Sequence, residues 1–254
     1  MNIDWGNFMS NQLLSLLIGS SLSALATGLG ALPVLFFQET SHRFRDILLA
    51  FTAGIMMAAA TFSLIPSSLR EGGLTSLTLG LFSGVIMLLI LEKYTPHIEL
   101  EHKQVAVDGK ALLIILAITL HNIPEGLSVG VSYGSEVNSS LGGLIAVAIG
   151  LQNAPEGLLI ALFLIQQRID KYKALAISTL TGLIEIVAGL IGYFAVQWVQ
   201  NLVGYGLAFA SGAMIFIIYK ELIPESHGHG HARGATVSFV GGMLIMIYLI
   251  QYFG

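Results

Sequence analysis

Three glutamates and one histidine stand near the middle of long apolar runs: His121 and Glu125 in one, Glu156 in the next and Glu185 in the one after. A carboxylate removed from water needs either a proton or a positive partner. No Lys or Arg falls inside these runs, so the carboxyl groups keep their protons or a cation supplies the charge. Spacing argues for the cation. His121-Asn122-Ile123-Pro124-Glu125-Gly126 and Gln152-Asn153-Ala154-Pro155-Glu156-Gly157 are one motif written twice, 31 residues apart. Residues four apart share a helix face, so His121 with Glu125, and Gln152 with Glu156, can grip one ion. Asn122 and Asn153 adjoin the same faces. Glu185 can complete a second position, and bridging by Glu125 and Glu156 would set two metals about 3.5–4 Å apart.

Imidazole and carboxylate without any thiolate, since the chain has no Cys, suit Zn2+ and admit Cd2+, Fe2+, Mn2+, Co2+ or Ni2+; an oxygen-only Mg2+ or Ca2+ site would not call for His121. Pro124 and Pro155 cannot donate to the carbonyls four residues back, so each helix is expected to kink at its polar turn. Gly126 and Gly157 would let neighbouring backbones approach. A polar turn can also serve only to glue membrane helices together, a reading that suits one isolated Glu better than a duplicated motif. Met56, taken alone, reads as core filler.

The elements that must position these groups are membrane helices. Only 10% of the 254 residues are charged, against 55% hydrophobic, where a soluble domain carries about 25% charged residues. Eight apolar runs are long enough to span a bilayer: about 13–37, 47–69, 74–91, 111–133, 141–165, 174–196, 203–223 and 236–253. The blocks lack the alternation of barrel strands. One transmembrane domain over 1–254 is expected, with its longest polar loops at 92–110 and 221–235. Ten of the eleven Lys and Arg residues lie in alternate loops, Arg70 being the exception, which puts those loops in the cytoplasm and both termini outside it. Met1 to Asn11 carry no Lys or Arg, which argues against a cleavable signal, and the net charge of −4 speaks against nucleic acid as a partner. His227, His229 and His231 in the seventh loop, with His97 and His102 in the third, form a candidate cytoplasmic metal-binding set, the alternative being solvated polar loops. A fainter repeat links Phe62-Ser63-Leu64-Ile65-Pro66 to Lys220-Glu221-Leu222-Ile223-Pro224, in spans of opposite direction, as inverted halves would require.

On the two motif copies, Glu185 and the His-bearing loops, the chain resembles the ZIP (Zrt- and Irt-like protein) metal-transporter family, particularly its GufA-like branch. The resemblance implies eight helices in a three-plus-two-plus-three arrangement with an inverted repeat, extracytoplasmic termini, homodimers, and movement of divalent metals, often zinc, toward the cytoplasm; the compact loops favour the cell (inner) membrane of a bacterium. It implies a primary site of His121, Glu125, Gln152 and Glu156, with Met56 as a thioether ligand, and a second site of Asn122, Glu125, Asn153, Glu156 and Glu185. Asn153 departs from the acidic residue of some members. No cofactor is expected, the metal being cargo. An intramembrane zinc enzyme, or a channel or exporter using the same ligands, are the alternatives; against the enzyme, no His-Glu-x-x-His occurs and only one His lies at membrane depth.

Overall fold

In lipid, each backbone amide must be satisfied within its own segment, which favours helices, and in the computed structural model every regular element is helical among the described residues, 5–36, 40–94, 107–135, 139–199 and 201–253. Helix α1 (Trp5–Ala31) runs into a 3-10 turn at Leu32–Leu35; α2 (His42–Ala58) passes through a π-helical stretch, Ala59–Leu64, into α3 (Ile65–Tyr94). There follow α4 (Val107–Gly134), α5 (Ser139–Gln166), α6 (Lys171–Trp198) and α7 (Leu202–Ile217). A second π-helical stretch, Ile218–Leu222, leads into the short α8 (Ile223–His227), and α9 (Ala232–Phe253) ends the chain.

Local chemistry sets several of these bounds. Ser41 caps α2, its Oγ accepting from Phe44 N at 3.2 Å, and Asp170 caps α6 by accepting from Tyr172 N at 3.0 Å. The helix α3 breaks at Gly73, whose φ of 68° and ψ of −174° fall where a side chain would clash. Both π-helical stretches end at an Ile-Pro step, Ile65-Pro66 and Ile223-Pro224. Proline offers no N–H to the ladder, and the two segments paired by the faint sequence repeat share this local irregularity. Pro124 and Pro155, by contrast, stand inside helices that continue through them.

Six helical stretches among the described residues are long and apolar enough to cross a membrane. Their packing inverts the pattern of a water-soluble protein: Leu22, Leu29, Phe82 and Ile191 are exposed, whereas Ser20, Ser23, Thr27, Ser128 and Ser178 are buried. Small and hydroxylic residues let helices meet closely and bond across the contact when lipid, not water, surrounds them. The helices sort into two bundles. α1 packs chiefly on α5 and α6, and α4 on α6; α2 packs chiefly on α9, and α3 on α7. The bundles join where α4 meets α7 and α2 meets α5.

Candidate metal centre

The first bundle carries both motif copies. α4 bears His121, Asn122 and Glu125, α5 bears Gln152, Asn153 and Glu156, and α6 bears Glu185. The motif glycines bring these helices together: a Cβ at Gly126 would overlap the carbonyl oxygen of Glu185, and one at Gly157 that of Thr27 on α1. Asn122, Glu125, Gln152, Asn153 and Glu185 are buried, and Glu156 is half-buried.

The two copies touch through Gln152, whose Nε2 donates to Glu125 Oε1. Beside them, Asn153 Nδ2 donates to Glu185 Oε1 at 2.7 Å and to Ser23 Oγ at 3.0 Å, while the Ser23 hydroxyl donates to Glu185 Oε2 at 2.7 Å. Asn122 Nδ2 donates to the Thr181 carbonyl at 2.8 Å. The charges of Glu156 and Glu185 act on Glu125, and that of Glu156 also reaches Glu185 and His121. Three carboxyl groups therefore share one electrostatic environment. Within it, Glu125 Oε2, Gln152 Oε1 and Asn153 Oδ1 are buried acceptors with no donor among the described residues. Each such atom costs roughly 1–3 kcal/mol, and all three are oxygens of the kind a hard or borderline cation accepts as ligands.

His121 also reaches the other bundle. Its Nε2 lies 2.9 Å from Glu221 Oε2, in the π-helical stretch after α7, so the pair links the two bundles. Among the described residues, no three His, Asp or Glu side chains gather into a ready-made ion cage; Gln152 is bonded to Glu125 and Asn153 to Glu185 instead. Met56 lies on α2, in the other bundle, buried among apolar core residues. His227 turns its Nδ1 back to the Ile223 carbonyl at 2.9 Å, whereas His229 and His231 both reach Asp46. His97 and His102 lie outside the described residues.

Sequence reasoning did not find Ser23, Thr181 or Glu221 as partners of the site. A lone Ser or Thr in an apolar helix has no distinguishing pattern, but Glu221 sits inside the faint Ile-Pro repeat and could have been noticed there. Ser23→Ala should leave the fold intact and remove one of the two donors on Glu185. A hydrogen bond to a charged group contributes about 1.5–3 kcal/mol, so the concentration of metal giving half-maximal uptake should rise by roughly 10- to 150-fold, as read from a saturation curve.

Carboxyl and amide groups buried between apolar helices of bilayer length, beside a half-buried imidazole, are the marks of a polytopic membrane protein. The chain belongs to the ZIP family: residues 97–250 match the family described as ZIP Zinc transporter. It is 36% identical to the zinc transporter GufA of Myxococcus xanthus, over 94% of this chain and 98% of that one. It is 34% identical to the zinc transporter ZIPB of Bordetella bronchiseptica, over 91% of this chain and 79% of that one, and 31% identical to the zinc transporter ZupT of Streptococcus mutans, over 96% and 100%. Membership makes the chain a transporter rather than an enzyme.

Proposed function

We propose that the chain carries divalent transition-metal cations, zinc foremost, into the cytoplasm through a site at mid-membrane formed by Glu125, Glu156, Glu185, Gln152, Asn153, Asn122 and His121, with Met56 as a further ligand. The observation that carries this reading is that three buried oxygens, Glu125 Oε2, Gln152 Oε1 and Asn153 Oδ1, have no donor among the described residues, on side chains bonded to one another or to Glu185. A guest for them must be electropositive, and the names of the relatives favour zinc over Cd2+, Fe2+, Mn2+, Co2+ or Ni2+.

We read eight crossings: α1; α2 as far as the break at Gly73; the rest of α3; α4; α5; α6; α7 through α8; and α9. Alternating positive loops support extracytoplasmic termini. The inverted repeat gains support from the matching π-helical stretches and from the packing itself. Exchanging the first three crossings with the last three, and α4 with α5, turns the α1–α5 contact into α6–α4 and the α2–α9 contact into α7–α3. The bundle of α1, α4, α5 and α6 would carry the ion past the other, exposing the site to each side in turn. The exposed apolar residues Leu79, Phe82 and Ile86 of α3 are open to lipid or to a second copy of the chain, and cross-linking in membranes tests the homodimer.

Ligation requires a deprotonated carboxylate and a neutral imidazole. Metal binding should therefore release protons and weaken as pH falls; a pH-sensitive dye inside vesicles would register alkalinisation or acidification in step with metal movement, and flux indifferent to the pH gradient would remove proton coupling. Direction is read from cells expressing the chain: import raises cellular zinc, export lowers it, and Glu125→Ala with Glu156→Ala should return it to background. Unchanged accumulation with both replaced would overturn the assignment.

A further inference from the structure

Away from the membrane centre, Asp46 near the start of α2 is fully buried, yet among the described residues its partners are not Lys or Arg. Its two oxygens are taken by two imidazoles from the loop between α8 and α9: His229 Nδ1 lies 3.0 Å from Oδ1, and His231 Nδ1 lies 3.0 Å from Oδ2. A carboxylate only accepts hydrogen bonds, so each Nδ1 carries the proton. In the neutral ring the lone pair then sits on Nε2, on side chains that are 31% and 38% exposed. Gly230, at φ 82°, supplies the left-handed turn that lets residues two apart in sequence face one carboxylate.

A carboxylate fixing the tautomer of an imidazole from behind is the arrangement that orients metal-ligating histidines in general. We propose that His229 and His231, backed by Asp46, form an accessory site for a borderline divalent cation, separate from the mid-membrane site. The ion is held through the two Nε2 atoms; Asp46 is a positioning residue and not a ligand. The His42 ring, whose centroid is 4.3 Å from that of His229, places a third imidazole within side-chain reach, and water fills the remaining positions. His227, turned onto its own helix, takes no part. Two neutral nitrogens select Zn2+, Co2+, Ni2+ or Cu2+ over Mg2+ and Ca2+.

The test uses the full chain, purified without a histidine tag and carrying Glu125→Gln and Glu156→Gln, so that it stands whether or not the mid-membrane reading holds. Titration with Zn2+ should find one equivalent per chain, and Co2+ should give a visible d–d band. Adding His229→Asn and His231→Asn, which keep an amide N–H for each Asp46 oxygen but offer no imidazole nitrogen, should remove that equivalent and the band with little change in melting temperature. Asp46→Asn should weaken binding about 10–100-fold while His227→Ala leaves it unchanged. Absence of the equivalent in the parent protein, or its survival in the double histidine variant, overturns the site. Undiminished affinity in a folded Asp46→Asn overturns the positioning role.

Discussion

Glu125→Gln should weaken zinc binding at the mid-membrane site at least ~100-fold, equivalent to about 2.7 kcal/mol. Gln matches Glu in volume, so the close contact of Gly126 with the Glu185 backbone is kept, and the change isolates charge and donor character. The loss has two sources. One is the negative charge that would neutralise the ion in a low-dielectric surrounding. The other lies in the hydrogen bond from Gln152 Nε2 to Glu125 Oε1: a Gln at 125 must choose between accepting that bond and offering its remaining oxygen to the metal, and its amide adds two donors beside Glu156 and Glu185. Titration calorimetry on purified protein, with His229→Asn and His231→Asn present to silence the loop while keeping donors on Asp46, measures the effect. Affinity within about threefold of the parent would mean that Glu125 is not a ligand.

Gly157→Ala should prevent the first bundle from closing. A Cβ there would overlap the carbonyl oxygen of Thr27, and because the obstacle is backbone, no rotamer change relieves it. Overpacking costs typically ~1–3 kcal/mol when side chains can adjust; here α1 must move away from α5, and Asn153 would lose the 3.0 Å bond to Ser23 that braces Glu185. The expected result is a large fall in melting temperature and in the yield of monodisperse protein. Gly241→Ala is the control, since a Cβ at Gly241 meets nothing within 4 Å, and it should be neutral or mildly stabilising because Ala holds a helix better than Gly by roughly 0.5–1 kcal/mol. Equal behaviour of the two variants would refute the close-contact account of the motif glycine.

The duplicated motif was legible in the chain because proline, glycine and an ionisable residue at fixed spacing have few uses inside a membrane helix. The helical architecture was legible too, since uninterrupted apolar runs leave little choice of backbone structure in lipid. Helix bounds were less so: α2 starts at His42 and α9 at Ala232, ahead of the apolar runs, because a cap and a hydrogen-bond ladder extend a helix beyond its hydrophobic part. Pairing across the bundle was not legible. Nothing marks Ser23 apart from Ser20, no local spacing says that His121 meets Glu221, and Asp46, beside Arg43 and Arg45 in sequence, carries no sign that it is buried under two histidines. Such contacts join residues as far as 185 positions apart, and only tertiary packing brings them together.

The central claim, that these carboxylates carry a divalent metal across the membrane, is tested most directly by reconstitution. Purified chain in liposomes loaded with a zinc-sensitive dye should give saturable zinc influx, and the same chain carrying Glu125→Gln and Glu156→Gln should fall to the rate of protein-free vesicles. Saturable influx that survives both substitutions would place the transported ion elsewhere and contradict the account.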